Sequence, residues 1–230
     1  MTENKLYNQS FDFAAGEVLL IDKPYEWTSF DVVKKIRNAI KIKKVGHAGT
    51  LDPLATGLLI VCTGKNTKII NQIQDQEKVY TGKMVLGKTT PSFDLETEIE
   101  DVADIADLTE EQIHNACKNF IGEIDQVPPL FSAVKVQGKR AYTHARNNEK
   151  VELKSRKIHI YSFEIKEINL PEISFYVKCS KGTYIRSLAR DFGELLGKGA
   201  YLSELRRTHI GDYKVEDAYQ LDDFIKYLKK

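Results

Sequence analysis

A chain of 230 residues with 42% hydrophobic and 29% charged residues suits a soluble protein of one globular domain, or one domain with an appendage. The longest aliphatic run in its glycine-rich region, Leu58 to Cys62, falls far short of the roughly 20 residues a membrane-spanning helix needs, and the start MTENKLYNQSFDFAAGE has neither the basic nor the apolar part of a secretory signal. The net charge of +1 is close to neutral, but the charges along the chain are segregated.

Residues 17–22, EVLLID, predict a strand that ends at the Lys23-Pro24 turn. Thr28 or Ser29 then caps a helix whose Val32, Val33, Ile36 and Ile40 share one face, while its lysines take the other. Residues 34–44, KKIRNAIKIKK, hold six bases and no acid. Leu58–Cys62 reads as a buried strand, and residues 78–86 as a second one with Tyr80, Met84 and Leu86 on one side. Residues 91–111 hold nine acids and no base, so across the other 209 residues 34 bases face 24 acids. A basic surplus of that size is the electrostatic footprint of a polyanion binder, although a single lysine run more commonly just solvates a helix.

Thr109 and Gln112 form a capping box ahead of Ile113, Ala116, Cys117 and Phe120, and Gly122 stops that helix. Residues 157–168 and 172–180 predict two strands, the second with Ile173, Phe175, Val177 and Cys179 pointing one way. Gly182 and Thr183 open a helix with Ile185, Leu188, Ala189 and Phe192 on its buried stripe and Arg186 off it, and residues 221–230 make a terminal helix. Cys62, Cys117 and Cys179 are widely spaced and odd in number, which predicts free thiols and a cytoplasmic protein with no metal site. Strand runs mixed with separated helices predict an α+β fold around a mixed, mostly antiparallel sheet.

The stretch KKVGHAGTLDPLATGLLIVCTGK, residues 43–65, sets one acid, Asp52, among four glycines. It is not a phosphate-binding P-loop, because Gly64-Lys65 is followed by Asn66 and Leu59 stands where the first glycine belongs. Gly46, Gly49 and Gly57 lack the dinucleotide-binding spacing, and one carboxylate is not the pair a glycosidase uses. Spacing leaves two readings, an ordinary Asp-Pro turn or the seat of a catalytic acid.

The wording of the loop is more specific than its spacing. GHAGTLDPLATGLL resembles the signature of the TruB family of tRNA pseudouridine synthases. Further stretches resemble the family in family order: LLIDKP with Trp27-Thr28-Ser29, KVY at 78–80, VPPLFSAVKVQGKRAYTHAR, CSKGTYIRSLARDFG and LSELRRTHIG. Together they cover roughly residues 17–211. The resemblance implies the pseudouridine synthase fold and the conversion of uridine 55 in the T-loop of tRNA to pseudouridine. It assigns Asp52 as the catalytic carboxylate, Arg186 as its partner and Lys23 as a brace of the loop. Tyr80 would lie against the uracil, Tyr184 and Leu205 would line the base pocket, and His47 would contact the RNA loop that releases the base.

That reaction is an isomerisation, so the resemblance implies neither cofactor nor metal. The target base must leave its stack, as bases do for enzymes that modify them. An RNA-folding chaperone on the same fold, or a nucleoside hydrolase, are the rival readings; a chaperone would have no need of Asp52 and Arg186, and a hydrolase no need of the basic surplus. The expected layout is an N-terminal extension, 1–16, and a catalytic domain, 17–230, without the C-terminal PUA module that many members carry. The expected state is a monomer acting on the tRNA T-arm without guide RNA. The sequence departs from the family at TPSFDLETE, residues 90–98, and at Asn147-Asn148, where a glycine is usual.

Overall fold

The computed structural model describes residues 10–132, 134–136, 138–146, 149 and 151–229; Asn147 and Asn148 lie outside them. In chain order the elements are β1 (Val18–Lys23), α1 (Ser29–Ile40), β2 (Val45–Ala48), β3 (Ala55–Thr63), α2 (Ile70–Gln74), β4 (Lys78–Leu86), β5 (Lys88–Thr89) and β6 (Glu100–Asp101). They continue with α3 (Glu110–Cys117), β7 (Gly122–Gln126), β8 (Lys135–Val136), β9 (Lys139–Arg140), α4 (Ala141–Arg146), β10 (Arg156–Asn169) and β11 (Glu172–Cys179). The last are α5 (Ile185–Leu195), β12 (Ala200–Ile210), β13 (Tyr213–Lys214), β14 (Tyr219–Gln220) and α6 (Leu221–Tyr227). The chain forms two compact units, one of residues up to Tyr80 with those from Leu205 onward, the other Thr81–Glu204.

In the first unit β3 is the central strand. It pairs antiparallel with β1 and β2 and parallel with β12, while β14 adds to β1 in parallel. Its apolar run is uninterrupted because both faces are covered. Leu59 and Val61 join Leu19, Ile21, Val32, Val33, Ile36 and Phe224 under α1 and α6. Leu58, Ile60 and Cys62 join Ala48, Ile73 and Ile210 on the other side. Thr28 caps α1 with a full capping box closed by Asp31, which satisfies N–H groups that the first turn would otherwise leave bare. Phe11 and Phe13 stack on each other and pack against the same core.

In the second unit the strand order is β4-β11-β10-β7, with β10 antiparallel to both neighbours. Helix α3 begins at the Thr109–Gln112 box as expected but tightens into a 3-10 turn at Lys118–Phe120. Phe120, Phe163, Phe175 and Phe192 meet largely edge to face, with ring centroids 5.5–6.2 Å apart, the arrangement aromatic quadrupoles favour. The α+β class and the mixed, mainly antiparallel pairing are those the sequence predicts. Cys62, Cys117 and Cys179 are free and buried; burial pushes the Cys62 thiol up to about 11 and that of Cys117 up to about 12. No helix among the described residues is long and apolar enough to cross a membrane.

Candidate active site

Lys23, His47, Asp52, Tyr80 and Leu205 all fall in the first unit; Tyr184 and Arg186 fall in the second. Asp52 is half-buried in the loop from β2 to β3. The carbonyl of every residue from Gly49 to Pro53 has a donor. Arg207 Nη2 donates to Gly49 C=O (3.0 Å) and Nη1 to Thr50 C=O (3.4 Å). Ser29 Oγ donates to Leu51 C=O and accepts from Leu51 N–H, at 3.1 and 2.9 Å. Ala55 N–H closes a turn on Asp52 C=O at 3.1 Å, and Lys23 Nζ reaches Pro53 C=O at 3.1 Å.

Lys23 and Arg207 are both buried, at 0% and 1% exposure. The sheet register explains how both reach one loop. Gly57 of β3 lies opposite Lys23 on β1 and opposite Arg207 on β12. Facing residues on neighbouring strands project to the same side, and the glycine between them leaves that side open for two long chains. The same pairing sets Leu205 beside Ala55, the first residue of β3. Arg206, one step along, turns the other way and makes a two-pronged contact with Asp22, at 3.0 and 2.7 Å.

Lys23 Nζ also donates to the carbonyls of Pro24 and Trp27, so its ammonium has three main-chain acceptors. Burial still lowers its pKa, from 10.5 to about 8; Asp52 opposes that shift and the Arg207 charge adds to it. His47, on β2, is held below the ordinary imidazole value, first by burial, with a Gly49 backbone hydrogen bond acting the other way and Arg207 adding to the depression. It is therefore neutral near pH 7. Tyr80 is buried near the start of β4.

In the second unit Tyr184 is the N-cap residue of α5, but its side chain makes no cap bond. Instead Gln126, fully buried at the end of β7, grips its main chain on both sides. Gln126 Oε1 accepts from Tyr184 N–H at 2.8 Å and Nε2 donates to Tyr184 C=O at 3.0 Å. The Arg156 guanidinium lies over the Tyr184 ring, 4.5 Å from its centroid. Arg186, expected off the buried stripe of its helix, is itself buried. Its guanidinium donates to Ser92 C=O and Phe131 C=O, at 3.3 and 2.9 Å, and its Nε lies 3.5 Å from Asp94.

Four residues of this arrangement escape sequence reasoning: Arg207, Ser29 in its loop-holding role, Asp94 and Gln126. Asp94 sits inside the acidic block, where it looks like one more solvated charge. Its signal is the small and polar company of Thr90 and Ser92, whose hydroxyls both bond the Asp94 carbonyl.

Comparison with known proteins identifies the family. Residues 37–185 match the model of the TruB family pseudouridylate synthase N-terminal domain, and residues 186–230 match that of the tRNA pseudouridylate synthase B C-terminal domain. The chain is 53% identical over 225 residues to tRNA pseudouridine synthase B of Flavobacterium johnsoniae, covering 95% of this chain and 98% of that one. It is likewise 53% identical over 223 residues to the protein of that name from Phocaeicola vulgatus, covering 94% and 95%. Among solved structures, one chain of a Cbf5-Nop10-Gar1 complex superposes with a TM-score of 0.73 at 35% identity, over 94% of this chain and 55% of that one. An H/ACA RNP bound to a substrate RNA containing 2'-deoxyuridine gives 0.71 at 31%, over 94% and 54%. The fold is that of a pseudouridine synthase. The chain belongs to the TruB family.

Proposed function

We propose that this protein converts uridine 55 in the T-loop of tRNA to pseudouridine, with Asp52 as the catalytic carboxylate. The observation that carries the reading is the Asp52 loop itself, in which one acid stands on a backbone whose carbonyls are each held by a named donor. Such a rigid mount is what a reaction dependent on near-attack geometry requires.

The reaction breaks the N1–C1′ bond, turns the uracil and joins C5 to C1′; N1 gains a proton and C5 gives one up. Atoms and electrons balance within the nucleotide, and an ionised carboxylate can serve as nucleophile toward C1′ or as base toward C5. Tyr80 stacks on the uracil, which is worth about 1–3 kcal/mol per base. Leu205 lines the base pocket, and the roles of Tyr184 and Arg186 are those the family resemblance assigns. His47, neutral at working pH, contacts the RNA loop as an uncharged ring. Lys23 braces the loop through Pro53. The substrate is the tRNA T-arm, taken up by a cytoplasmic monomer without a guide RNA. The exposed lysines of α1, Lys34 and Lys35, are suited to its phosphates.

The test uses unmodified tRNA with the wild-type protein and Asp52→Asn. Carbodiimide labelling and primer extension should give one stop in the T-loop with wild type and none with the variant, whose tRNA affinity persists. No stop with either protein would overturn the reading.

A further inference from the structure

We propose that Arg207 is a positioning residue, which fixes the height and orientation of the Asp52 loop and so sets the rate of the chemical step rather than the affinity for RNA. The inference rests on the functional reading above, and it concerns a buried residue whose guanidinium is turned to main-chain carbonyls.

The guanidinium of Arg207 bonds the chain before and after Asp52. Ahead of it stand Gly49 and Thr50; after it, Leu58 C=O accepts from Arg207 Nε at 2.8 Å. One rigid planar group thus ties both ends of the loop to β12. Its hydrogen bonds all go to main-chain carbonyls, in contrast to neighbouring Arg206, which binds the Asp22 carboxylate. A buried charge is costly unless its donors are satisfied, so a cation kept here, with two donor nitrogens on the Asp52 loop and the third on the strand that follows it, fits a positioning role better than a packing role. The fork matters as much as the charge. A lysine at the same place carries a single donor centre and cannot hold carbonyls at both ends of the loop.

The surrounding sequence is shaped to this contact. Gly57 has φ +101°, and a Cβ there would stand 2.3 Å from the Arg207 carbonyl oxygen. Gly49 has φ +86° and carries the first carbonyl that Arg207 grips. Ser29 holds Leu51 between the two ends, so the loop is pinned at its middle as well.

The experiment compares wild type, Arg207→Lys and the milder Ser29→Ala on unmodified tRNA. It reads the single-turnover rate, the tRNA Kd and amide hydrogen exchange by mass spectrometry. Arg207→Lys should slow the single-turnover rate about 100-fold, the usual consequence of a misplacement near 1 Å. The tRNA Kd should stay within about twofold, the mark of an interaction that acts only in the transition state. Exchange should rise across residues 49–58 and stay unchanged in α1, β10 and β11. Ser29→Ala should do the same more weakly, about tenfold in rate. A wild-type rate in Arg207→Lys, a parallel loss of rate and affinity, or exchange raised throughout the first unit would overturn the proposal. If Arg207→Lys fails to fold and Ser29→Ala behaves as wild type, Arg207 is a scaffold residue and the proposal falls. If wild type leaves the uridine unchanged, the functional reading fails first, and the exchange data still decide whether Arg207 holds the loop.

Discussion

Arg186 and Asp94 form an ion pair in the second unit, 3.5 Å apart, with 4% and 8% of their side chains exposed. The pair joins the first turn of α5 to the segment that follows β5, and Arg186 also ties that segment through Ser92. Asp94→Asn takes one buried charge away from the Arg186 guanidinium and should cost up to about 3–5 kcal/mol of stability, the range for breaking a buried pair. Urea denaturation followed by circular dichroism checks this. A loss below about 1 kcal/mol would place the pair with exposed ones.

Gln126 offers a narrower test, because it acts through the main chain of Tyr184 alone. Gln126→Glu keeps an acceptor for Tyr184 N–H but loses the donor to Tyr184 C=O. Gln126→Leu loses both. Stability should fall in that order, by about 1–3 kcal/mol for the leucine variant, the usual cost of leaving such groups unmatched. If Tyr184 lines the base pocket, the leucine variant also raises KM more than it lowers kcat. Equal effects of Glu and Leu would show that packing, not the amide, holds Tyr184.

These two positions also mark what the sequence can and cannot convey. Leu58 to Cys62 is legible because burial on both faces leaves an unbroken apolar run. Helix α1 is legible because its cap and its buried stripe are local signals. Strands β7 and β12 are not, since the one buried residue of GEIDQ is the polar Gln126 and AYLSELRRTHI buries the charged Arg207. Asp52 stands out through the wording of its loop, but the groups that hold the loop do not. Arg207 bonds carbonyls about 150 positions away in the chain, and only the register of β12 on β3 brings them together. Arg186 misleads for the same reason. Helical periodicity sets it off the apolar stripe, whereas its burial comes from an aspartate 92 residues earlier.

Gly57 should tolerate no side chain. Its positive φ disfavours any L-residue, and the clash with the Arg207 backbone cannot be relieved by a rotamer change. Gly57→Ala should destabilise by more than about 1 kcal/mol, since strain adds to displacement of β12 from β3. The rate should fall further than stability alone dictates, because the same displacement carries Arg207 away from the Asp52 loop. Thermal melting and single-turnover rates on the folded fraction measure the two effects separately. A stable Gly57→Ala protein with wild-type rate would contradict the register argument.

Lys23 gives the protein opposed pH responses in stability and in rate. Its folded pKa is lowered to about 8 from an unfolded value near 10.5, chiefly by burial, with Asp52, Arg207 and Asp31 the charged groups that face it. Below pH 8 both states hold the proton, and the cost of the buried charge is constant. Between about 8 and 10.5 the unfolded chain retains a proton that the folded chain has released, so stability rises with pH across that window. The neutral amine, however, has two N–H donors for the carbonyls of Pro24, Trp27 and Pro53. One of the three must lose its partner, and the Asp52 loop is held less firmly as pH passes 8. The single-turnover rate should then fall with pH while resistance to urea grows. Lys23→Arg, which cannot lose its charge in this range, should show neither trend, and the difference between the two proteins isolates Lys23 from other groups that titrate above pH 9. A wild-type rate as flat as that of Lys23→Arg from pH 7 to 9 would mean that Pro53 is not where Lys23 controls the loop.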